Sequence, residues 1–292
     1  MSAPLDLDAA ADFAVFADHL NFTRAAEALH LSQPALHAKV KKLEGALGVP
    51  LYRKRGRTLE LTDAGRELAR LGRDLQTQAR DLVESLRGGG KREPVTLAAG
   101  EGSFLYLLGD PIRRYLRRPP APLRLLTRDR DGALQAVRDG VAGLGVSALD
   151  VLPADLECDP LGRFPQLLVC PQGHPLAARR QVRLRDLEGQ ALVVPPPDRP
   201  HRQALARALL AAGISWQPAV EAQGWELALH FVRLGVGLAV VSGICRPGRG
   251  LVARPLPELP ATSYYAFCRP GLPATSPIRA LRQAIAEARA TA

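Results

Sequence analysis

The stretch Phe22-Thr23-Arg24-Ala25-Ala26-Glu27-Ala28-Leu29-His30-Leu31-Ser32-Gln33-Pro34-Ala35-Leu36 decides the fold of the N-terminal part of this 292-residue chain. Thr23 reads as the N-cap of a short helix running through Leu29, and Leu31-Ser32 as the turn after it. Ser32 then caps a third helix with Pro34 in its first turn, where a missing N–H does no harm. In that helix Leu36, Val40 and Leu43 recur at buried spacing, leaving Gln33, Ala35, His37, Ala38, Lys41 and Lys42 on other faces. Upstream, Phe13, Phe16, Ala17 and Leu20 mark a preceding helix. Downstream, Leu51-Tyr52-Arg53 and Thr58-Leu59-Glu60-Leu61 read as strands about the turn Lys54-Arg55-Gly56-Arg57. Two helices joined by a tight turn and followed by a basic hairpin describe a winged helix-turn-helix.

From Thr62 a single helix is expected to about Leu86. Ala64, Leu68, Leu71, Leu75, Ala79, Leu82 and Leu86 form a near-heptad stripe along it, narrower than a globular helix needs and suited to a two-helix seam. The competing reading is an amphipathic helix lying on its own domain. Gly88-Gly89-Gly90 ends it.

Beyond Pro94, short apolar runs alternate with helical stretches. Strands are expected at Val95–Ala99, Leu123–Leu126, Leu144–Val146, Gln166–Cys170, Ala191–Val194, Leu238–Val241 and Tyr264–Cys268. Helices are expected at Phe104–Leu116, Gly132–Asp139, Arg202–Ala212, Trp225–Leu234 and Ile278–Ala290. This alternation predicts a parallel-rich α/β architecture with ligands at the carboxyl ends of strands.

Composition sets the outer bounds. With 47% apolar and 23% charged residues and four cysteines, disordered and disulfide-scaffold classes are excluded. Met1-Ser2-Ala3-Pro4-Leu5-Asp6 lacks the basic start and apolar run of an export signal. The most apolar stretch, Leu227 to Ile244, is interrupted by His230 and Arg233 and does not suit a membrane span. The expectation is a soluble, cytoplasmic protein.

The net charge of +10 invites a nucleic-acid reading, yet its distribution matters more than its total. Residues 1–93 carry a net of only +2 and residues 94–292 a net of +8. Between Ser32 and Arg57, however, lie Lys39, Lys41, Lys42, Arg53, Lys54, Arg55 and Arg57, opposed within that window only by Glu44.

These residues resemble the LysR-type transcriptional regulators. The match runs from Phe22 to Leu36, then through Leu43-Glu44, Leu47-Gly48-Val49-Pro50-Leu51-Tyr52 and Leu61-Thr62-Asp63-Ala64-Gly65. A second match is Leu167-Leu168-Val169-Cys170-Pro171-Gln172-Gly173-His174-Pro175-Leu176-Ala177 with Leu184-Arg185-Asp186-Leu187-Glu188-Gly189. A third is Val232 to Val241. The resemblance implies a multidomain protein: a largely α-helical winged helix-turn-helix over 1–62 and a dimerising linker helix and hinge over 63–90. A two-lobed α/β effector domain like a periplasmic solute-binding protein would follow. Its first lobe would span 91–165 with 263–292, and its second 166–262.

The resemblance also implies site residues. DNA contacts fall on Thr23, Ser32, Gln33, Pro34, Ala35, His37, Lys42, Lys54, Arg55 and Arg57. Gln33 has the chemistry for a bidentate contact with adenine, and the wing places Arg57 at the minor groove. Arg57→Ala is expected to flatten the salt dependence of binding. Two departures stand out: His37 replaces the family's usual serine, and Ala38 stands where many relatives carry a base-contacting cation. The operator sequence therefore does not transfer from a relative.

A small-molecule effector, expected to be anionic, would meet Gly102, Ser103, Arg128, Arg130, Arg199, Arg202, Gln223, Gly224 and Trp225 between the lobes. The partners implied are double-stranded DNA, that effector and further copies of the chain, as a homodimer through residues 63–86 and a homotetramer, with no membrane.

Other classes fit less well. Cys158, Cys170, Cys245 and Cys268 raise a redox-sensor alternative, but Cys170 and Cys268 lie among apolar neighbours, as small buried hydrophobes do. Six scattered histidines offer no metal-ligand spacing, and no cofactor motif is present. The chain lacks a nucleophile elbow, a P-loop and a dinucleotide fingerprint, so it does not read as an enzyme. A solute-binding protein alone would leave the N-terminal segment unexplained.

Overall fold

The computed structural model describes residues 5–56, 58–87, 94–117, 121–272 and 276–288. Arg57 and the Gly88–Gly90 triplet fall outside them. The chain divides into two compact units, one centred on its N-terminal helices and one holding most of its α/β elements.

The N-terminal unit begins with α1 (Leu7–His19), α2 (Phe22–Ala28) and α3 (Gln33–Leu47). Asp6 starts α1 by accepting the Ala9 N–H at 3.0 Å. Asn21, and not Thr23, caps α2: its side chain takes the N–H groups of Thr23 and Arg24 at 3.0 and 3.1 Å. Thr23 sits inside the first turn because asparagine two residues earlier already supplies the acceptor. Ser32 caps α3 by accepting the Ala35 N–H at 3.3 Å, with Pro34 in the first turn. The hairpin β1 (Tyr52–Arg55) and β2 (Thr58–Leu61) follows, paired Tyr52 with Leu61 and Arg55 with Thr58. Thr62 then starts α4 (Asp63–Arg87) by accepting the Gly65 N–H at 3.0 Å.

Phe13, Phe16, Leu36, Val40, Leu43, Leu51 and Leu68 form the core of this unit. Each fully buried large side chain contributes about 1.5–3 kcal/mol. Phe16 stacks on Phe22 with ring centroids 4.2 Å apart, and Tyr52 meets Phe16 edge-on at 5.5 Å. Aromatic packing therefore joins α1, α2 and the hairpin.

Two glycines govern how α4 lies. A Cβ on Gly65 would overlap the Leu51 carbonyl oxygen, and one on Gly72 the Ala10 carbonyl oxygen. Gly65, Leu68, Ala69 and Gly72 thus form a face pressed onto the unit's own core. Leu71, on another side of α4, remains 39% exposed, and Val83, about five turns on from Gly65 along the same line of the helix, 43%. Of the apolar stripe read from the sequence, Ala64 and Leu68 pack on the unit's own core, and Leu75 is half-buried. The side chains of Leu82 and Leu86 lie outside the described ones.

The second region starts with β3 (Val95–Ala99), α5 (Glu101–Tyr106), α6 (Gly109–Leu116), β4 (Leu123–Thr127), α7 (Arg130–Arg138) and β5 (Leu144–Ala148). After β6 (Glu157–Phe164) come β7 (Gln166–Pro171), β8 (Ala191–Val194), α8 (Pro200–Ala211) and β9 (Gln217–Glu221). The chain closes with α9 (Trp225–Arg233), β10 (Ala239–Ser242), β11 (Leu251–Pro255), β12 (Thr262–Cys268) and α10 (Pro277–Ala288).

A five-stranded sheet runs β4-β3-β5-β12-β6, a three-stranded one β10-β7-β11, and β8 pairs with β9. The chain leaves the five-stranded sheet between Phe164 and Gln166 and returns between Pro255 and Thr262. The sheets are mixed and not parallel-rich. β3–β5 and β8–β9 are parallel, but β12 runs antiparallel to β5 and β6, as β10 and β11 do to β7.

The expected helix over 104–116 is two helices. Pro111 has no N–H to give the preceding turn and its ring would clash there, so it is tolerated only in a new first turn, and α6 restarts at Gly109. Strands β6, β9 and β11 go unread in the sequence because each carries a proline. β6 and β9 lie at sheet ends, and each has a register shift in its pairing, where a missing ladder donor is tolerated. No helix among the described residues is long and apolar enough to cross a membrane.

Candidate nucleic-acid interface and ligand cavity

The start of α3 presents an exposed polar row. Thr23, Ser32, Gln33, Pro34, Ala35, His37 and Lys42 are all exposed, while Leu36, Val40 and Leu43 anchor the helix beneath them. The hairpin adds exposed Lys54 and Arg55. His37 lies edge-on to Phe22 at 5.0 Å, and its Nε2 is 3.4 Å from the Tyr52 hydroxyl.

The basic cluster is more neutralised than its sequence window suggests. Lys39 pairs with Asp12 from α1, and Arg53 and Arg55 both face Glu60 across the hairpin at 3.4 and 3.3 Å. Lys41 pairs with Glu44 at 2.7 Å. Burial pushes the Glu44 carboxyl up, but hydrogen bonds from Lys41 and from the Leu51 N–H outweigh it and leave the group below its usual range. Lys42 and Lys54 have no acidic partner among the described residues. The acids that matter come from outside the window, or from the far strand within the hairpin, which linear spacing does not show.

A cavity of about 540 Å³ lies where α8, α9 and the loops after β3 and β4 converge. Such a volume suits a small organic molecule. Gly102, Arg128, Arg130, Arg199, Gln223, Gly224 and Trp225 line it, together with Asp129 and His201 from the same two loops and with Glu101, which the sequence did not single out. Val193, Pro195, Ala228 and Ala239 supply apolar wall. Two expected members are elsewhere. Ser103 is buried in α5, its carbonyl accepting the N–H groups of Leu107 and Leu108. Arg202 lies over the Trp216 ring at 4.2 Å, away from the cavity lining, and burial lowers its pKa against the pull of Glu221.

Backbone conformation at the start of α8 explains the difference. Arg199 precedes the first turn of α8 and His201 lies within it, where both line the cavity, whereas Arg202 takes the face toward Trp216. Asp129 sits in the same short loop as Arg128 and Arg130.

Asp129 does two jobs. Its Oδ1 accepts the Gly132 N–H at 3.0 Å in the first turn of α7, and its Oδ2 accepts from Arg199 Nη1 at 3.0 Å. The Gly132 N–H first, and Arg199 with it, hold this carboxyl below its usual range. Arg128 Nη1 donates to the Thr127 carbonyl at 2.9 Å, and Arg130 faces Asp131 and Asp150 at 3.1 and 3.8 Å.

α8 and α9 both begin at the cavity, and neither has a side-chain cap. Their first-turn N–H groups and the positive ends of their dipoles suit an anion. His201 Nε2 donates to the Val240 carbonyl at 2.8 Å, and its ring meets Trp225 edge-on at 4.8 Å. Burial drives the His201 pKa down, so the imidazole is neutral near pH 7. Gly224 turns the chain into α9 with φ at +98°, a conformation that favours glycine. Trp225 leans on Gly102, where a Cβ would stand 2.5 Å from the indole Cδ1.

The four cysteines are free. Burial pushes every thiol up, Cys245 to about 12, which disfavours the reactive thiolate.

A winged helix-turn-helix joined to an α/β domain with a ligand-sized cavity defines a ligand-responsive, DNA-binding transcriptional regulator. Residues 88–290 match the LysR substrate binding domain, and residues 7–66 match the bacterial regulatory helix-turn-helix protein, lysR family. The chain belongs to the LysR family of transcriptional regulators, whose members are not enzymes.

Among curated relatives, it is 29% identical over 242 residues to the RuBisCO operon transcriptional regulator of Allochromatium vinosum, covering 79% of this chain and 77% of that protein. It is 28% identical over 264 residues to the regulator XapR of Escherichia coli K12, covering 87% and 89%. Among solved structures, a full-length OxyR variant from Pseudomonas aeruginosa superposes with a TM-score of 0.75 at 24% identity, covering 97% of this chain and 98% of that one. That likeness supports the fold.

Proposed function

We propose that this regulator binds an interrupted palindrome in the cytoplasm as a homodimer, itself paired into a homotetramer, under the control of an anionic small molecule held in the cavity. DNA is met by Thr23, Ser32, Gln33, Pro34, Ala35, His37 and Lys42 of the helix-turn-helix, and by Lys54, Arg55 and Arg57 of the wing. Effector contacts come from Gly102, Arg128, Arg130, Arg199, Gln223, Gly224 and Trp225. The working division is a DNA-binding domain over 1–62, a dimerising helix and hinge over 63–90, and effector lobes over 91–165 with 263–292 and over 166–262. Exposed Leu71 supports a seam along α4, since it lies away from the glycine face that packs on its own unit.

The observation that carries the effector reading is the meeting of two uncapped helix starts with Arg128, Arg130 and Arg199 at one apolar-walled cavity. Bound anion would shift the population between two arrangements of the DNA-binding heads. The test is footprinting on the DNA upstream of the protein's own gene, with a panel of small acids. A protected palindrome whose footprint changes with an acid is expected, and Gln223→Trp, a plug on an exposed lining position, should abolish the change. No specific footprint overturns the DNA reading. An acid response that survives Gln223→Trp overturns the cavity.

A further inference from the structure

We propose that Asp129 stands in this structure where an effector carboxylate will stand, and that exchange of the two carboxylates on Arg199 is the trigger that couples ligand to conformation. The inference rests on the cavity reading above and names the effector class as a small carboxylate with an apolar body.

Three features carry it. First, Arg199 Nη1 donates to Asp129 Oδ2 at 3.0 Å, so this ion pair joins the start of α8 to the loop after β4, segments seventy residues apart. Arg128 and Arg130 are instead engaged by near neighbours or by Asp150. Second, the guanidinium is incompletely used. Arg199 Nε is buried with no hydrogen-bond partner, and Asp198 Oδ2 stands 3.9 Å from it. A guanidinium has five donors in a fixed fork, so a ligand carboxylate that takes the place of Asp129 can make the bidentate contact that Asp129, bonded through Nη1, does not. Third, Asp129 can let go without being stranded. Its Oδ1 keeps the Gly132 N–H and still caps α7, so the released acid remains charged and partly satisfied.

An incoming carboxylate on Arg199 also meets the uncapped N–H groups of α8, which Asp129 does not satisfy. Val193, Pro195 and Trp225 supply apolar wall for the rest of the molecule. A neutral ligand gains nothing at Arg199 that Asp129 does not already provide. The ion pair therefore acts as an internal competitor, and removing its charge strengthens binding where most substitutions of a lining residue weaken it.

The experiment is calorimetric titration of the full chain with benzoate, phenylacetate and succinate, each beside its neutral amide. Asp129→Asn keeps an oxygen for the Gly132 N–H while removing the charge, and is expected to bind the acids about tenfold tighter than wild type, with the amides unchanged. Arg199→Gln is expected to lose at least tenfold on the acids, and adding Asp129→Asn to it should bring no further gain. Circular dichroism confirms that each variant is folded. Acid affinity unchanged or lowered in Asp129→Asn overturns the exchange, as do amides that bind as well as acids. Acids that bind neither wild type nor Asp129→Asn up to 10 mM overturn the carboxylate class. If acid binding is lost in Gln223→Trp yet indifferent to Asp129→Asn, the exchange falls and the cavity stands. If it survives Gln223→Trp, the cavity itself falls.

Discussion

Two helices of this chain begin almost alike and end up doing opposite things. α3 and α8 both carry proline in the first turn, Pro34 and Pro200. Ahead of α3 stands Ser32, whose hydroxyl takes the Ala35 N–H. Ahead of α8 stands Arg199, which has donors only and leaves the first-turn N–H groups without a side-chain acceptor. α3 closes its own backbone and presents exposed side chains, Gln33 and His37 among them, so what it can recognise is written in residue type. α8 opens into a cavity and presents its backbone, so what it can recognise is charge. The difference separates two chemistries: a capped helix start offers its side chains, and an uncapped one offers backbone N–H groups to whatever enters the cavity.

The contrast can be broken most severely at Gly102. Gly102→Val places a branched side chain against the Trp225 indole, where even a Cβ stands at 2.5 Å. Overpacking of this kind costs about 1–3 kcal/mol of stability and pushes the indole out of the cavity wall, so calorimetry should show weakened ligand binding, while gel shift without effector stays at the wild-type value. The reciprocal change is Gln33→Ala. It should cost about 1–3 kcal/mol of discrimination at one base position, seen as relaxed preference there in a binding selection, with acid titrations unaltered.

A third effect separates the two helices by pH. His201, in the first turn of α8, has its pKa depressed by burial from an ordinary value of 6.5. The unfolded chain therefore binds a proton that the folded one refuses. The stability from this group is present above pH 6.5 and lost as pH falls below it, by at most about 1.4 kcal/mol per pH unit. Thermal melts from pH 7 to 5.5 should show the decline, and His201→Gln should flatten it; an equal slope in the variant removes His201 from the explanation. Ser32→Ala should then cost α3 about 1 kcal/mol, read as a lower urea midpoint of the N-terminal unit. The smallest effect belongs to Lys54→Ala. It should lower the salt slope of DNA binding by roughly 0.9 for its one phosphate, and Lys41→Ala, whose charge is already spent on Glu44, by less.

What could be read from the sequence divides along the same line. The helix-turn-helix was legible because its elements are consecutive and each carries its own cap or periodic stripe. Only the cap of α2 was misplaced, from Asn21 to Thr23. The glycine face of α4 was not legible, because a stripe of leucines outweighs glycines whose value lies in close backbone approach. The cavity was legible as a set of loops but not as a set of contacts. Arg202 and Arg199 are three residues apart and alike in type, but Arg199 is the extended N-cap of α8 and lines the cavity, whereas Arg202 lies inside the helix against Trp216. The same limit hid Asp12 and Glu60, whose neutralising roles depend on residues brought from another helix and across the hairpin.

The close approaches at Gly65 and Gly72 have a mechanical consequence. They lie seven residues apart, two turns or about 10 Å along α4, and each admits no side chain between the backbones. Two such fixed points leave α4 neither room to roll nor a soft layer to slide on, so the helix turns as one piece with the core of the N-terminal unit. The fifteen residues from Arg73 to Arg87 then extend roughly 22 Å beyond the last fixed point. A tilt of about 5° displaces the end of such an arm by roughly 2 Å. Whatever grips that end has leverage on the angle at which α3 is presented.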